Sequence, residues 1–271
     1  MIKDLMVVVD GVGLRAAPYA LSLARELGAS ICAAGVLPTV PFQTFAWAEI
    51  PYDMVTSAQQ DARGQAADAA EAVARAALAG GLPCETTTVC EQPAEADRTL
   101  SRLAGATDLV VIEQPEGQRP KPADAHLETL LLRSGRPTLV VPYIHTAPAN
   151  LQSAVVAWDA SPTAARALAD AIPLLSRIGR VQVVTVAGEQ PPDALQQRLV
   201  RHLARHGIEA KISAFSAQIP VAEALLSHAA DTGADLLVMG AYGHSPLREA
   251  ILGGTSRTIL ESMTVPVLMS H

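Results

Sequence analysis

Aromatic side chains are scarce in this chain: Phe, Trp and Tyr together make up 3% of 271 residues. A core must therefore be built from Ala, Val and Leu, the mixture used by helices packed on a buried parallel sheet. Cysteine is nearly absent too. Cys32, Cys84 and Cys90 are odd in number and form no C-x-x-C pair, which excludes a disulfide framework or a thiolate zinc site and leaves the reading of reduced thiols in a cytoplasmic protein. The longest apolar runs, such as Leu109–Ile112 and Leu236–Met239, have the length of strands and fall far short of a bilayer-spanning helix. No basic region followed by a long apolar segment marks a secretory leader, so the expected location is cytoplasmic and no membrane insertion is expected. Positive charge is also in short supply. The formal net charge is −7, no Lys/Arg cluster marks a basic face, and no nucleic-acid partner is expected.

What the chain does contain is a repeat of itself. Leu5–Gly11, LMVVVDG, matches Ala154–Ala160, AVVAWDA. Thr107–Glu113, TDLVVIE, matches Ala234–Gly240, ADLLVMG. Arg136–Pro142 matches Val265–His271, and the helix-like stretches beginning at Pro93 and Pro220 also correspond. Within the second half, strands are expected at Ser153–Trp158, Val181–Val186, Glu209–Ala214, Asp235–Met239 and Val265–Met269. Helices are expected near Pro162–Ile178, Asp193–His206, Val221–Thr232 and Thr255–Ser262. Short apolar strands alternating with helices specify an α/β fold. Here that means two repeated domains, at 1–142 and 151–271, each a five-stranded parallel sheet with helices on both faces. Tyr143–Asn150 reads as the linker. Pro38–Thr56 reads as an insertion, a loop or short helix carrying two of the three Phe and one of the two Trp. The ligand site of such a sheet is expected at the carboxyl ends of the strands.

The segment Gly240–Ser256, GAYGHSPLREAILGGTS, follows the fourth strand of the second half. Gly240 and Gly243 are three apart, and Gly253, Gly254, Thr255 and Ser256 open a helix ten residues later. Glycines let a backbone approach a ligand closely, and a helix start offers unpaired N–H donors to an anion. Brought together at one sheet edge, the combination would form a phosphate cradle. It is not a Walker loop, because no GK[ST] is present. His244 and Arg248 lie within the segment, in reach of a phosphate or of solvent. Asp159 ends the first strand of this half, beside a ligand or as a cap of the following helix.

Here the chain resembles the universal stress protein family, whose ATP-binding members carry G-x2-G-x9-G-[S/T] after the fourth strand. Gly240, Gly243 and Gly253 reproduce that spacing, and Gly254 stands where the family has Ser or Thr. The resemblance implies a Rossmann-like fold akin to the adenine nucleotide α-hydrolases, and ATP, or AMP or ADP, with Mg. It also implies a set of contacts. Asp159, with Ala157, Trp158, Ala160 and Ser161 around it, would lie against the nucleotide. The backbone of Val186 would read adenine, and Met239 and Gly240 would line the ribose and phosphate side. Gly243, His244, Gly253, Gly254, Thr255 and Ser256 would hold phosphate.

In the first half the same alignment puts Glu113 at the place of Gly240 and Glu116 at that of Gly243. Carboxylates there add bulk and negative charge where a nucleotide would sit, so the first site reads as degenerate. Asp10-Gly-Val-Gly-Leu-Arg-Ala mimics a dinucleotide-binding turn, but the second strand of this half leads to Pro38-Thr39-Val40 and lacks the acidic residue such a site wants. No nucleophile elbow, HExxH or metal-spaced His/Cys set is present. His202 and His206, four apart on a helix, lack a third ligand. The expectation is a nucleotide-binding signalling or protective module with a protein partner of unknown identity. An interaction or small-molecule module without nucleotide, and a slow ATP hydrolase, are the alternatives. The two final strands are expected to pair within one chain, giving a pseudo-dimer, and two such chains to form a homodimer.

Overall fold

The computed structural model describes residues 1–10, 14–37, 52–115, 124–186, 193–215, 219–241 and 254–271. Gly243, His244, Arg248, Gly253, Glu116 and residues 38–51 of the insertion lie outside them. Strands and helices alternate among the described residues. The first series is β1 (Asp4–Val9), α1 (Ala16–Leu27), β2 (Ser30–Val36), α2 (Tyr52–Ala79), β3 (Cys84–Val89), α3 (Pro93–Gly105), β4 (Leu109–Glu113), α4 (Asp124–Arg133) and β5 (Thr138–Val141). The second is β6 (Ser153–Ala157), α5 (Pro162–Leu175), β7 (Arg180–Val186), α6 (Asp193–Arg205), β8 (Ala210–Phe215), α7 (Val221–Asp231), β9 (Leu236–Gly240), α8 (Gly254–Ser262) and β10 (Val267–Ser270). The α/β expectation holds, and the elements expected in the second half lie within a few residues of those observed. The last five residues of the insertion form the first turns of α2, a 28-residue helix.

The chain divides into two compact units. One is built on Ile2–Arg136 with Thr146–Ala149, and the other on Pro137–His145 and Asn150–His271 with Met1. The division falls before β5, whereas the sequence repeat ends after it.

In the first unit the strand order is β3-β2-β1-β4, all parallel. Leu5, Met6, Val7, Val8 and Val9 of β1 and Leu109–Ile112 of β4 are all buried. Burial on both faces is what a continuous Val/Leu run encodes in a sheet covered by helices on each side. α1 stops at Gly28, which adopts φ 64°, and Ala29 N–H donates back to Ala24 O at 2.9 Å. That left-handed turn favours glycine because it has no Cβ. At Gly35 of β2 an added Cβ would overlap the carbonyl of Ala66, so the absent side chain is what lets α2 lie directly on the strand.

In the second unit the order is β5-β10-β9-β6-β7-β8. β6, β7, β8, β9 and β10 are parallel. β5 pairs antiparallel with β10, Thr138 opposite Met269 and Val140 opposite Val267. β10 thus lies between two strands rather than at an edge.

One carboxylate contact occurs in both units. Asp235 Oδ2 accepts the backbone N–H groups of Gln152 at 3.2 Å and Ser153 at 2.9 Å, and Oδ1 accepts Asn150 Nδ2 at 2.9 Å. In the other repeat Asp108 Oδ2 accepts Lys3 N–H at 2.7 Å and Asp4 N–H at 3.2 Å. Each carboxylate joins the start of the fourth strand to that of the first. The Asp-Leu pair shared by TDLVVIE and ADLLVMG is the sequence trace of this clasp. Asp235→Ala should lower stability by about 1–3 kcal/mol, because two backbone donors lose their acceptor. Chemical denaturation checks this, and an unchanged midpoint would contradict it.

The three thiols are free and half-buried. Burial pushes the Cys32 thiol up to about 11, with Asp4, Glu85 and Cys84 adding to the effect. Burial also raises Cys84 and Cys90. A thiol with raised pKa is a poor nucleophile at neutral pH. Alkylation of Cys32 by iodoacetamide should be slow at neutral pH and rise about tenfold per pH unit, levelling only near pH 11. A plateau already at pH 9, followed by mass spectrometry, would count against this.

Candidate functional site

The second unit has its switch point between β9 and β6. β6 leads through α5 to β7 on one side, while β9 leads through α8 to β10 on the other. Right-handed crossovers in opposite directions place α5 and α8 on opposite faces of the sheet. Their N-termini lie at the carboxyl edge, because each joins two parallel strands. The crevice expected of an open α/β sheet lies between them.

The β6 side of the crevice is a tight turn. Ala157 and Trp158 are half-buried, and Asp159 and Ala160 are exposed. Ala160 is held at φ 60°, a left-handed conformation that costs a Cβ-bearing residue about 1–3 kcal/mol. The turn is stabilised by Asp159 Oδ1, which accepts Ser161 N–H at 2.9 Å. Ser161 is the N-cap of α5, its Oγ accepting Ala164 N–H at 3.1 Å. Of the two roles open to Asp159, helix cap is therefore filled by Ser161. Asp159 braces the turn with one oxygen, and its Oδ2 has no partner among the described residues. The first turn of α5 is largely self-satisfied: Pro162 has no N–H, Ala164 donates to Ser161 Oγ, and Ala165 donates to Ser161 O. It retains little capacity for an anion.

The β9 side ends at Met239, which is buried, and Gly240. A Cβ at Gly240 would stand 2.6 Å from Thr163 C and 2.7 Å from Ala164 N. Glycine is thus required for the strand end to meet the start of α5. Its absent side chain serves packing first, and a bulkier residue would displace the α5 terminus before it touched any ligand.

On the β7 side, the last register pair with β6 is Ala157 with Val184, and Trp158 N–H donates to Val184 O at 2.8 Å. Backbone groups in a strand alternate sides with a two-residue period. Those of Val186 therefore turn the same way as those of Val184, toward β6 and past its end. Val186 itself still pairs with Phe215 of β8 in register.

The fourth wall is the start of α8. Gly254 is exposed, and a Cβ added there would meet nothing within 4 Å. Thr255 is half-buried and Ser256 buried. The structure thus brings Ala157–Ser161, Val186, Met239 and Gly240 to one sheet edge and sets Gly254–Ser256 at the helix start of that same edge. The remaining expected contacts, Gly243, His244 and Gly253, fall outside the described residues.

In the first unit the matching positions are filled. Asp10, Glu113 and Gln114 are all buried, and Glu113 Oε2 accepts Arg15 N–H at 3.1 Å. Outside the crevices, the sequence reading passed over a stripe of exposed arginines on α6, Arg198, Arg201 and Arg205. Their three- and four-residue spacing was the available signal. His202 and His206 stack edge to face on the same helix with ring centres 4.9 Å apart. Among the described residues there is no group of three or more metal-ligating side chains, and no helix is long and apolar enough to cross a membrane.

Known proteins agree with this architecture. A universal stress protein from Archaeoglobus fulgidus superimposes with a TM-score of 0.71 at 16% identity, covering 98% of this chain and 97% of that one. A protein of unknown function from Pseudomonas aeruginosa superimposes with a TM-score of 0.59 at 14% identity, over 99% of this chain and 92% of its own. At these identities they establish the fold. Among curated proteins, a universal stress protein of Synechocystis is 26% identical over 178 residues, covering 62% of this chain and 60% of its own length. The match thus spans three fifths of that relative. The family model for the universal stress protein family matches residues 150–271, the half that holds the crevice between β6 and β9. Residues 150–271 of the chain are thus similar to the universal stress protein family.

Proposed function

We propose that the second repeat binds an adenine nucleotide, ATP with Mg or its mono- and diphosphate relatives, at the carboxyl edge of β6, β7 and β9, and that occupancy serves a signalling or protective role. The observation that carries the reading is the backbone of Val186, turned toward the crevice two residues beyond the last β6 pair. A strand end of that kind offers one donor and one acceptor to the edge of a base, which discriminates adenine from guanine without a polar side chain. Asp159 Oδ2 is free to take a ribose hydroxyl. The start of α8, with Gly254, Thr255 and Ser256, supplies N–H groups and hydroxyls for phosphate. The α5 terminus does not compete, because its own cap uses its donors. Gly243, His244 and Gly253 complete the proposed phosphate contacts.

Mass spectrometry of the supernatant from denatured, freshly purified protein tests occupancy directly. Calorimetry should give one ATP per chain, with GTP much weaker. Asp159→Ala should weaken ATP about two- to tenfold, the size of one lost hydrogen bond. Equal binding of GTP, or two equivalent sites per chain, would refute the assignment.

Gly254 is the point at which the segment departs from the family pattern, and the space around it is open. Gly254→Ser should fold normally and tighten ATP about two- to fivefold by adding a hydroxyl at the helix start. Unchanged affinity in a folded Gly254→Ser protein would remove the α8 start from the phosphate site.

A further inference from the structure

The first repeat carries the same switch point, between β1 and β4. The register equates the two repeats residue by residue: Leu5 pairs with Leu109 as Ala154 pairs with Leu236. Glu113 therefore ends β4 where Gly240 ends β9. Arg15 directly precedes α1 as Ser161 directly precedes α5, although it lies five residues after Asp10 where Ser161 lies two after Asp159. In the second repeat the strand end and helix start touch through a glycine, and the helix is capped by its own serine. In the first repeat the N-cap Arg15 makes no side-chain cap hydrogen bond. Instead the Glu113 side chain reaches from the end of β4 to the segment after β1, and Oε2 accepts Arg15 N–H at 3.1 Å. Glu113 is 6% exposed.

We infer that Glu113 is a tethered carboxylate ligand for the first crevice, a built-in strap that closes the switch point between β1 and β4 and thereby confines ligand binding to the second repeat. Three features support it. A buried carboxylate spans the two strand ends between which an open α/β sheet takes its ligands. Its charge lies at the start of α1, where the helix dipole favours an anion. The donors there are few: Pro18 has no N–H, and Ala17 N–H is used by Leu14 O at 3.1 Å. Asp10, buried here where its counterpart Asp159 is exposed, marks the same closure. The meaning of the strap rests on reading the second crevice as a ligand site, but its test does not. Loss of nucleotide binding in the second repeat would leave the behaviour of Glu113 variants unchanged.

The test uses the full chain with Glu113→Ala and Glu113→Gln, sodium formate as the probe, and sodium chloride at equal ionic strength as reference. Glu113→Ala should lower Tm by about 2–5 °C and speed amide hydrogen exchange at Arg15. Formate should then raise its Tm more than it raises that of the wild type or of Glu113→Gln, because only the alanine variant has an open carboxylate-sized gap beside a donor. If formate stabilises all three proteins equally, or if Arg15 exchange is the same in wild type and Glu113→Ala, the strap is refuted. Should Glu113→Ala fail to fold, Glu113→Gln decides. Its neutral oxygen is a weaker acceptor than a carboxylate, so Arg15 should exchange faster than in the wild type, and unchanged exchange overturns the proposal.

Discussion

The pairing of β6 with β9 is the constraint on which the rest of the candidate site depends. These strands are neighbours in the sheet although three helices and two strands separate them in sequence. Their register is clasped at one end by Asp235, which holds the backbone of Gln152 and Ser153. At the other end the same register delivers Gly240 to the start of α5, where no side chain fits. A slip of one residue would turn every buried side chain of β9 to the other face and would put Met239 in the gap now occupied by glycine. The crevice is the place where this register stops, because β6 ends at Ala157 while β7 runs on to Val186.

The two repeats share this frame and differ in what fills it. Asp108 clasps β1 as Asp235 clasps β6, so the amino ends of the sheets are built alike. At the carboxyl ends one repeat has Gly240, Ser161 and an exposed Asp159, and the other has Glu113, Arg15 and a buried Asp10. Burying a carboxylate without a hydrogen-bond partner is costly, and the Arg15 N–H meets that requirement for Glu113. One frame thus supports a glycine against a serine-capped helix in one copy and a glutamate tied to the backbone of Arg15 in the other. The family model matches residues 150–271, the copy with Gly240 and Ser161.

Much of the fold was legible in the sequence, for physical reasons that can be named. Runs such as LMVVV and LLVMG are apolar on both faces, a pattern that only a strand covered by helices on each side can use. The repeated Asp-Leu pair and the glycines of Gly240–Ser256 carried the internal repeat and the family resemblance. Other features had no local signal. Gly240 reads as a glycine for ligand approach, and only the position of Thr163 reveals that the packing of α5 already requires it. Asp159 had two possible roles in sequence, and the hydroxyl of Ser161 two residues later took the cap.

By itself the sequence determined the alternation of strands and helices, the two-copy organisation and the segment in which a phosphate site would lie, since these follow from periodicity, composition and residue spacing along the chain. Only the tertiary structure decided that Glu113 reaches Arg15 and that the backbone of Val186 extends past its neighbour. Each of these joins positions distant in the chain or depends on where two strands end relative to one another, and a local pattern of residue types contains neither quantity.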